Sequence, residues 1–343
     1  MTTNVFLASF DNREVWPSHI FTFLEYLPRD LELAFMQDSD MPPARFKRLQ
    51  AKVKGINDKV RIIDVSSIDS YRRVVELFDS QFINYSTGGH DFENACFHRW
   101  FALNACTSHL AGSDYVCLLD TDFFLGITPS EILRRCLGEA SGDSLDFVAS
   151  WSKGAGSVAP EVAIMTKSAL LDFCRYVLVN YFSIENRQSL VDIYFDRIGH
   201  GLTGGVCDMT ALASWMKSVG NSFNFFNLRD LLSASVISNL NVFVWDGDSK
   251  NMFWRMQFLK GQGIKLLTNE STCLDLIGVH FQGSAKEFMP LISKKFCEQS
   301  GEIQEMLNSE DVYEAVRLAR SPKKRTLFIR VKCYVGRVFA SLR

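Results

Sequence analysis

Two carboxylates spaced two residues apart are the side chains of this sequence most suited to chemistry. Asp120 and Asp122 follow the apolar run Tyr115–Leu119, which the turn-like residues 112–114 precede. A short, nearly continuous apolar run of this kind predicts a buried strand. Because side chains alternate along a strand, Asp120 and Asp122 are expected to point to the same side where the strand leaves its sheet. Ligands of open α/β sheets bind at that carboxyl end.

Such a pair of carboxylates suits Mg²⁺ or Mn²⁺, and a cation of this kind commonly binds substrate phosphates as well. Residues 276–286 add His280 directly after a short apolar run and Lys286 further on. An imidazole completes a metal site begun by carboxylates and favours Mn²⁺ over Mg²⁺, and a Lys ammonium suits a diphosphate. Two alternatives stay open, a chance Asp-x-Asp in a surface turn and a half-buried His beside a solvated Lys.

Taken together, Asp120-Thr121-Asp122 after an apolar strand and the later His-Phe-Gln-Gly-Ser-Ala-Lys of residues 280–286 resemble a known family. The chain is similar to the metal-dependent glycosyltransferases of the GT-A fold, in particular to the retaining branch that includes glycogenin and bacterial lipopolysaccharide galactosyltransferases. The resemblance covers residues 4–290. The Pro-Trp that usually follows the family's Lys is Glu287-Phe288 here. The implied fold is α/β, a Rossmann-like, mixed and mostly parallel sheet flanked by helices.

The resemblance also implies a function and its partners. It implies a hexosyltransferase that takes its sugar from a nucleotide diphosphate sugar, with a UDP-sugar favoured, and transfers it with retention to a glycan or lipid-linked acceptor of the cell-surface polysaccharide or lipopolysaccharide type. It implies Mn²⁺ or Mg²⁺ held by Asp120, Asp122 and His280, and a catalytic Lys286 that contacts the diphosphate. The residues implied to bind the donor are Ser9, Phe10, Asp11, Arg99, Asp120, Thr121, Asp122, Thr203, Gly204, Gly205, Gly283 and Lys286.

Several of these donor positions have a structural alternative. Residues 9–11 follow the first predicted strand, whose carboxyl end lies near the base and ribose in nucleotide-binding α/β folds, but plain turn chemistry is equally open. Arg99 lies beside the apolar face of a helix predicted over residues 93–106, just before the metal-binding strand. The alternative for Arg99 is a side chain whose stem packs while its head reaches water.

A glycine-rich segment, residues 199–210, precedes another predicted helix. Its glycines permit close backbone approach to a ligand. The resemblance implies that this segment lines the donor sugar and the acceptor, so Thr203, Gly204, Gly205 and Asp208 are expected to contact substrate. If the reaction inverts configuration, a carboxylate must act as catalytic base, and Asp208 is the predicted one. The alternative is a structural loop in which Asp208 caps the helix.

The order of predicted elements supports the α/β class and narrows the function. The first 125 residues alternate strands with helices, which favours a parallel sheet. Neither G-x-G-x-x-G nor G-x-x-x-x-G-K-[ST] accompanies the first strand, so a Rossmann dehydrogenase or a P-loop enzyme is not expected. A second acidic pair, Asp246 and Asp248, is interpreted as a hairpin turn. A sugar nucleotidyltransferase and a non-catalytic nucleotide-sugar-binding protein of the same fold remain the alternative functions.

Composition sets the remaining bounds. The chain has 343 residues, 47% of them hydrophobic and 22% charged, which is ordinary for a globular protein. A net charge of -2 gives no reason to expect nucleic acid as a partner. Nine cysteines in no paired spacing favour free thiols in a reducing compartment. No signal peptide or bilayer-spanning apolar run is found, so we expect a cytoplasmic protein.

The predicted domain organisation is a glycosyltransferase domain over residues 1–300 and a helical tail over residues 301–343. From residue 323 the tail has an apolar stripe at helical spacing, with basic residues off the stripe and no acidic residue. A helix of this type binds anionic membrane surfaces, which predicts a peripheral protein of the inner membrane face. Docking of the stripe on the domain or on a partner subunit is the alternative.

Overall fold

The computed structural model describes most of the first 231 residues and several later strands. The described residues are 3–9, 20–21, 24, 33–37, 42–107, 114–140, 144–151, 156–200, 204–231, 238–241, 256–259, 263–267, 273–275, 277–282 and 301–302. The predicted tail beyond Glu302 and the acidic pair at residues 246–248 lie outside these ranges. The division into a domain and a tail therefore stays a prediction.

Strands and helices alternate through the first half of the chain. The strands are β1 (Thr3–Ser9), β2 (Leu33–Gln37), β3 (Val60–Asp64), β4 (Tyr115–Leu119), β5 (Phe123–Leu125), β6 (Phe147–Trp151), β7 (Val158–Thr166), β8 (Phe225–Asn227), β9 (Ser238–Asn241), β10 (Met256–Leu259), β11 (Gly263–Leu267), β12 (Cys273–Asp275), β13 (Gly278–Gln282) and β14 (Gly301–Glu302). The helices are α1 (Pro43–Ile56), α2 (Asp69–Asp79), α3 (His90–Thr107), α4 (Pro129–Glu139), α5 (Lys167–Phe182), α6 (Ile184–Gly199) and α7 (Asp208–Val219).

The main sheet has seven strands in the order β3-β2-β1-β4-β7-β6-β8. Strands β1 to β4 pair in parallel, as the alternating pattern of the first 125 residues predicts. Strand β7 is antiparallel to both β4 and β6, and β6 pairs in parallel with β8. The predicted class, a mixed and mostly parallel sheet flanked by helices, is confirmed.

Strand β4 lies at the centre of this sheet and shows why helices cover both faces. Its side chains alternate, so Cys117 and Leu119 join one buried cluster with α4, while Val116 and Leu118 join a second cluster with α3, α5 and α7. All four are at most 1% exposed. A strand buried on both faces reads as a continuous apolar run, which is the pattern that identified β4 from the sequence.

Helices α3 and α7 carry functional candidates into the second cluster. Phe97, Trp100 and Leu103 of α3 recur at helical spacing and are buried, so the predicted helix is confirmed. Helix α7 begins at Asp208, within the glycine-rich segment of residues 199–210. The Cys207 N–H donates to Thr210 Oγ1 over 2.9 Å, which satisfies a backbone donor at the start of the helix.

A small three-stranded sheet, in the order β5-β13-β9, brings residues 278–282 close to the end of β4. Strand β13 is antiparallel to β5, with Gly278 opposite Leu125 and His280 opposite Phe123. Phe123 directly follows Asp122, so this register sets His280 beside the acidic pair. Strands β10, β11, β12 and β14 form a separate antiparallel sheet.

Two further predictions concern cysteines and membranes. The cysteines whose state the structure describes are free thiols: Cys96, Cys106, Cys117, Cys136, Cys174 and Cys207. Among the described helices, none combines the length and the apolar character needed to cross a bilayer.

Close approach between β13 and β5 makes Gly278 sensitive to substitution. A Cβ at this position would lie 2.4 Å from both the Phe123 ring and the Phe124 carbonyl oxygen. We expect Gly278→Ala to lower the free energy of unfolding by roughly 1–3 kcal/mol, because either strand must move to relieve the overlap. Urea denaturation measures this loss.

Gly138→Ala is the matched control for Gly278→Ala. Gly138 lies in α4 and has open space where its Cβ would be. Alanine is favoured over glycine in a helix by about 1 kcal/mol, so this variant should be at least as stable as the wild type. Equal stability of the Gly278 variant and this control would contradict the close packing of β13 on β5.

Candidate metal centre

Asp120, Asp122 and His280 form a compact group at the carboxyl end of β4. Each offers one ligand atom, and these atoms lie within 4.8 Å of one another. Asp120 directly follows β4, and its carbonyl oxygen accepts from the Phe123 N–H over 3.1 Å, which closes a turn that brings Asp122 back to the same place. The predicted convergence of the two carboxylates and the imidazole is therefore present.

His280 is held between two buried carboxylates. Its Nε2 lies 3.3 Å from Asp122 Oδ1, and its Nδ1 lies 3.4 Å from Glu161 Oε1. Burial alone would lower the pKa of His280, but the contacts with Asp122 and Glu161 outweigh burial and raise this pKa to about 10. The imidazole is thus a partner of two carboxylates.

The group has the composition of a divalent-cation site. Burial raises the pKa of Asp120 to about 6, with a further increase from the neighbouring Asp122, while Arg99 opposes the shift. Two carboxylates held this close repel each other unless a positive charge lies between them. Two carboxylates and one imidazole suit Mn²⁺, and the carboxylates alone suit Mg²⁺, so these residues fit the cation that the motif resemblance implies.

Arg99 connects this group to a further buried carboxylate, that of Asp208. Its Nη1 donates to Asp120 Oδ1 over 2.6 Å, while its Nε donates to Asp208 Oδ2 over 3.0 Å and its Nη2 donates to the same oxygen. The Trp100 Nε1–H also donates to Asp208 Oδ2, over 3.0 Å. Asp208 is 2% exposed and opens α7. The two residues predicted on separate grounds, Arg99 and Asp208, therefore form one ion pair beside the candidate metal ligands.

The predicted donor-binding glycines contact another loop of the protein. The Gly204 carbonyl oxygen accepts from the Thr87 N–H over 3.0 Å, and the Gly204 N–H donates to Thr87 Oγ1 over 2.7 Å. A Cβ on Gly205 would lie 2.2 Å from the Tyr85 carbonyl oxygen. This close approach explains the need for glycine at residue 205, and a role of these glycines in donor binding stays a prediction.

The other predicted site residues divide into those described and those outside the described ranges. Thr121 lies in the turn between Asp120 and Asp122, and Ser9 ends β1 opposite Gln37 of β2. Outside the described residues lie Phe10, Asp11, Thr203, Gly283 and Lys286. Their assignment to the donor site stays a prediction.

Glu161 is a site residue that sequence analysis did not select. It lies in β7, and its carbonyl oxygen accepts from the Asp120 N–H over 2.9 Å. Val162, Ala163, Ile164 and Met165 follow Glu161 in the sequence, and an apolar run of this kind is typical of a buried strand. An acidic residue within the otherwise apolar stretch 158–165 was the available signal, since buried carboxylates are rare without a partner.

The chain is similar to several solved protein structures. No protein-family model matches the sequence, and no curated protein matches it. The chain is similar to mouse xyloside xylosyltransferase 1, with 11% identity and a TM-score of 0.43 over 73% of this chain and 91% of that one. It is similar to the galactosyltransferase LgtC in complex with donor and acceptor sugar analogs, with 12% identity and a TM-score of 0.43 over 86% and 94%.

A third similar structure is a glycosyltransferase involved in glycosylation of the major capsid of PBCV-1. Its identity to this chain is 10% and its TM-score is 0.36, over 85% of this chain and 98% of that one. All three proteins are glycosyltransferases by name.

The candidate centre predicts a specific loss of cation binding. Replacing Asp122 with Ala removes one of its carboxylates, so we expect the affinity for Mn²⁺ to fall at least about tenfold, the smallest loss usual even for a residue that only supports a ligand. Isothermal titration of nucleotide-free protein with MnCl₂ measures the affinity, and a circular dichroism spectrum like that of the wild type checks the fold.

Asp114→Ala is the matched control. Asp114 is an exposed carboxylate just before β4, at the strand end opposite to the candidate centre. The affinity of the Asp114→Ala variant for Mn²⁺ should equal that of the wild type. Equal affinities of the Asp122 and Asp114 variants would remove Asp122 from the metal site.

Proposed function

We propose that the chain is a metal-dependent glycosyltransferase that moves a sugar from a nucleotide diphosphate sugar, with a UDP-sugar favoured, to a glycan or lipid-linked acceptor. The observation that carries this proposal is the convergence of Asp120, Asp122 and His280 beyond the end of β4, the central strand of an α/β sheet. A cation site at this edge suits a substrate that brings its own phosphates.

In this proposal Asp120, Asp122 and His280 hold the cation, with Mn²⁺ preferred because one ligand is nitrogen. When bound, the cation neutralises negative charge that develops on the diphosphate leaving group. Lys286 adds a second positive charge at the diphosphate. Donor contacts are proposed for Arg99, Thr121 and the other donor residues of the motif resemblance: Ser9, Phe10, Asp11, Thr203, Gly204, Gly205 and Gly283.

We propose that transfer proceeds with retention. An inverting reaction needs a carboxylate base, and Asp208 is the candidate for that role. The ion pair with Arg99 supports the retaining alternative, because Asp208 is buried and its Oδ2 already accepts from Arg99 and Trp100. The anomeric configuration of the first product, observed by proton NMR, decides between the two: an inverted product would contradict retention and favour Asp208 as base.

The acceptor and location are proposed from the tail. A basic amphipathic helix over residues 323–343 would hold the enzyme at the cytoplasmic face of a membrane, at about 1 kcal/mol for each basic residue near an anionic surface. Such a location suits lipid-linked acceptors of cell-surface polysaccharide or lipopolysaccharide synthesis. Deletion of residues 323–343 should abolish sedimentation with anionic vesicles, and continued sedimentation of the shortened protein would contradict membrane binding by the tail.

Thermal stability with nucleotide ligands tests the proposed function. A ligand that binds the native state alone stabilises it by about 2.7 kcal/mol at 100 times its dissociation constant. We expect one nucleoside diphosphate and its sugar conjugates to raise the melting temperature of the wild type in the presence of Mn²⁺ and not in its absence. The same panel should leave the melting temperature of the Asp122→Ala variant unchanged.

Turnover separates the proposal from its alternatives. A glycosyltransferase releases the nucleoside diphosphate from the stabilising donor, slowly to water and faster with acceptor. A sugar nucleotidyltransferase instead releases pyrophosphate from a nucleoside triphosphate, and a binding protein releases neither. The absence of any stabilising nucleotide in folded protein with Mn²⁺ would overturn all three functions.

A further inference from the structure

Glu161 is a buried carboxylate whose described partner is one of the candidate metal ligands. It is 5% exposed, and its Oε1 lies 3.4 Å from His280 Nδ1. Its Oε2 has no hydrogen-bond partner among the described residues. Burial of an unpaired carboxylate is costly, so the contact with His280 is the described interaction that compensates for the position of this charge.

The backbone of Glu161 is attached to the other half of the same site. Strand β7 is antiparallel to β4, with Val162 opposite Leu119, and the Asp120 N–H donates to the Glu161 carbonyl oxygen over 2.9 Å. Glu161 therefore contacts Asp120 through its main chain and His280 through its side chain. It is the described residue that links the β4 end of the site to β13 from a third strand.

The two nitrogens of His280 face different groups. Nε2 lies 3.3 Å from Asp122 Oδ1, on the side of the two aspartates, and Nδ1 faces Glu161. A metal-binding imidazole generally donates its second N–H to a carboxylate or carbonyl, which fixes both the tautomer and the orientation of the ring. Glu161 is not a member of the compact ligand group and lies on the opposite edge of the ring.

We propose that Glu161 is a positioning residue that accepts a hydrogen bond from His280 Nδ1–H and directs the lone pair of Nε2 toward a cation held by Asp120 and Asp122. This inference rests on the metal site of the proposed function. The inference also predicts which cation the site prefers. With the imidazole held in place the site favours Mn²⁺, and without Glu161 the two aspartates remain as an oxygen site in which Mg²⁺ loses little.

Cation affinities of full-length, nucleotide-free protein test the role of Glu161. We expect Glu161→Ala to weaken Mn²⁺ binding about 10–100-fold, as is usual for loss of a group that orients a ligand, and to change Mg²⁺ binding much less. Glu161→Gln keeps an acceptor oxygen of the same shape, so it should recover most of the Mn²⁺ affinity. Titration with MnCl₂ and MgCl₂ by calorimetry gives both constants.

Glu93→Gln provides a matched control. Glu93 is also a buried carboxylate, 6% exposed, with Oε2 lacking a hydrogen-bond partner among the described residues. Its Oε1 accepts from Ser86 Oγ over 2.8 Å and contacts no candidate metal ligand. This variant also loses a buried carboxylate, but one that contacts no candidate metal ligand. Its affinities for Mn²⁺ and Mg²⁺ should therefore match those of the wild type.

A spectroscopic measurement reports the ring itself. In protein with ¹⁵N-labelled histidine and diamagnetic Zn²⁺, the wild type should show His280 with a protonated Nδ1 and a coordinated Nε2, assigned by loss of these signals in His280→Gln. Glu161→Ala should lose this pattern. The same pattern and Mn²⁺ affinity in Glu161→Ala would overturn the positioning role while leaving the metal site intact.

The remaining outcomes are also decisive. A wild-type protein that binds no Mn²⁺ overturns the metal site, and the inference with it. If Glu161→Ala does not fold, Glu161→Gln carries the test through its ring signals: coordination through Nδ1 instead of Nε2 in that folded variant would overturn the inference. Equal losses of Mn²⁺ and Mg²⁺ affinity in a folded Glu161→Ala would contradict the selective part of the proposal.

Discussion

The antiparallel pairing of β13 with β5 is the constraint on which the candidate centre depends. Asp120 and Asp122 are neighbours in sequence, and the end of β4 is enough to bring them together. His280 comes from a distant part of the chain, and the register that sets it opposite Phe123 is what makes it their neighbour. A shift of this pairing by one residue would turn His280 to the opposite face of its strand. Gly278 allows the close approach that this register requires.

The charged groups of the centre interact with one another. Asp120, Asp122 and Glu161 surround the imidazole of His280. Arg99 pairs with both Asp120 and Asp208. The charges shift one another: the pKa of Asp120 rises because its charged form loses water, and the pKa of His280 rises because carboxylates face both of its nitrogens. Arg99 and the imidazole of His280 compensate part of this negative charge, and a bound cation would compensate more of it.

The local sequence pattern predicted those elements and residues whose positions depend on their neighbours along the chain. The apolar run of β4 identified the strand and its end, and helical spacing identified α3 with Arg99 on its border. The two candidate metal-binding motifs followed from residue types and from their place after short apolar runs. The antiparallel direction of β7, the contact of Gly205 with residue 85 and the pairing of Arg99 with Asp208 join distant segments, and no spacing in the sequence encodes them. Glu161 was not predicted for the same reason, since its role depends on its contact with His280, which comes from the distant strand β13.

The pair of carboxylates around Arg99 explains why arginine suits this position. Its guanidinium donates to Asp120 through one nitrogen and to Asp208 through two others. A planar group with five donors can satisfy two carboxylates in different directions, whereas a Lys ammonium is a single compact charge on a flexible stem. Asp120 accepts from Arg99 through Oδ1, so a cation held by Asp120 would share this carboxylate with Arg99. Through Asp208, the orientation of that carboxylate depends on α7, which packs with α3 on one face of the sheet.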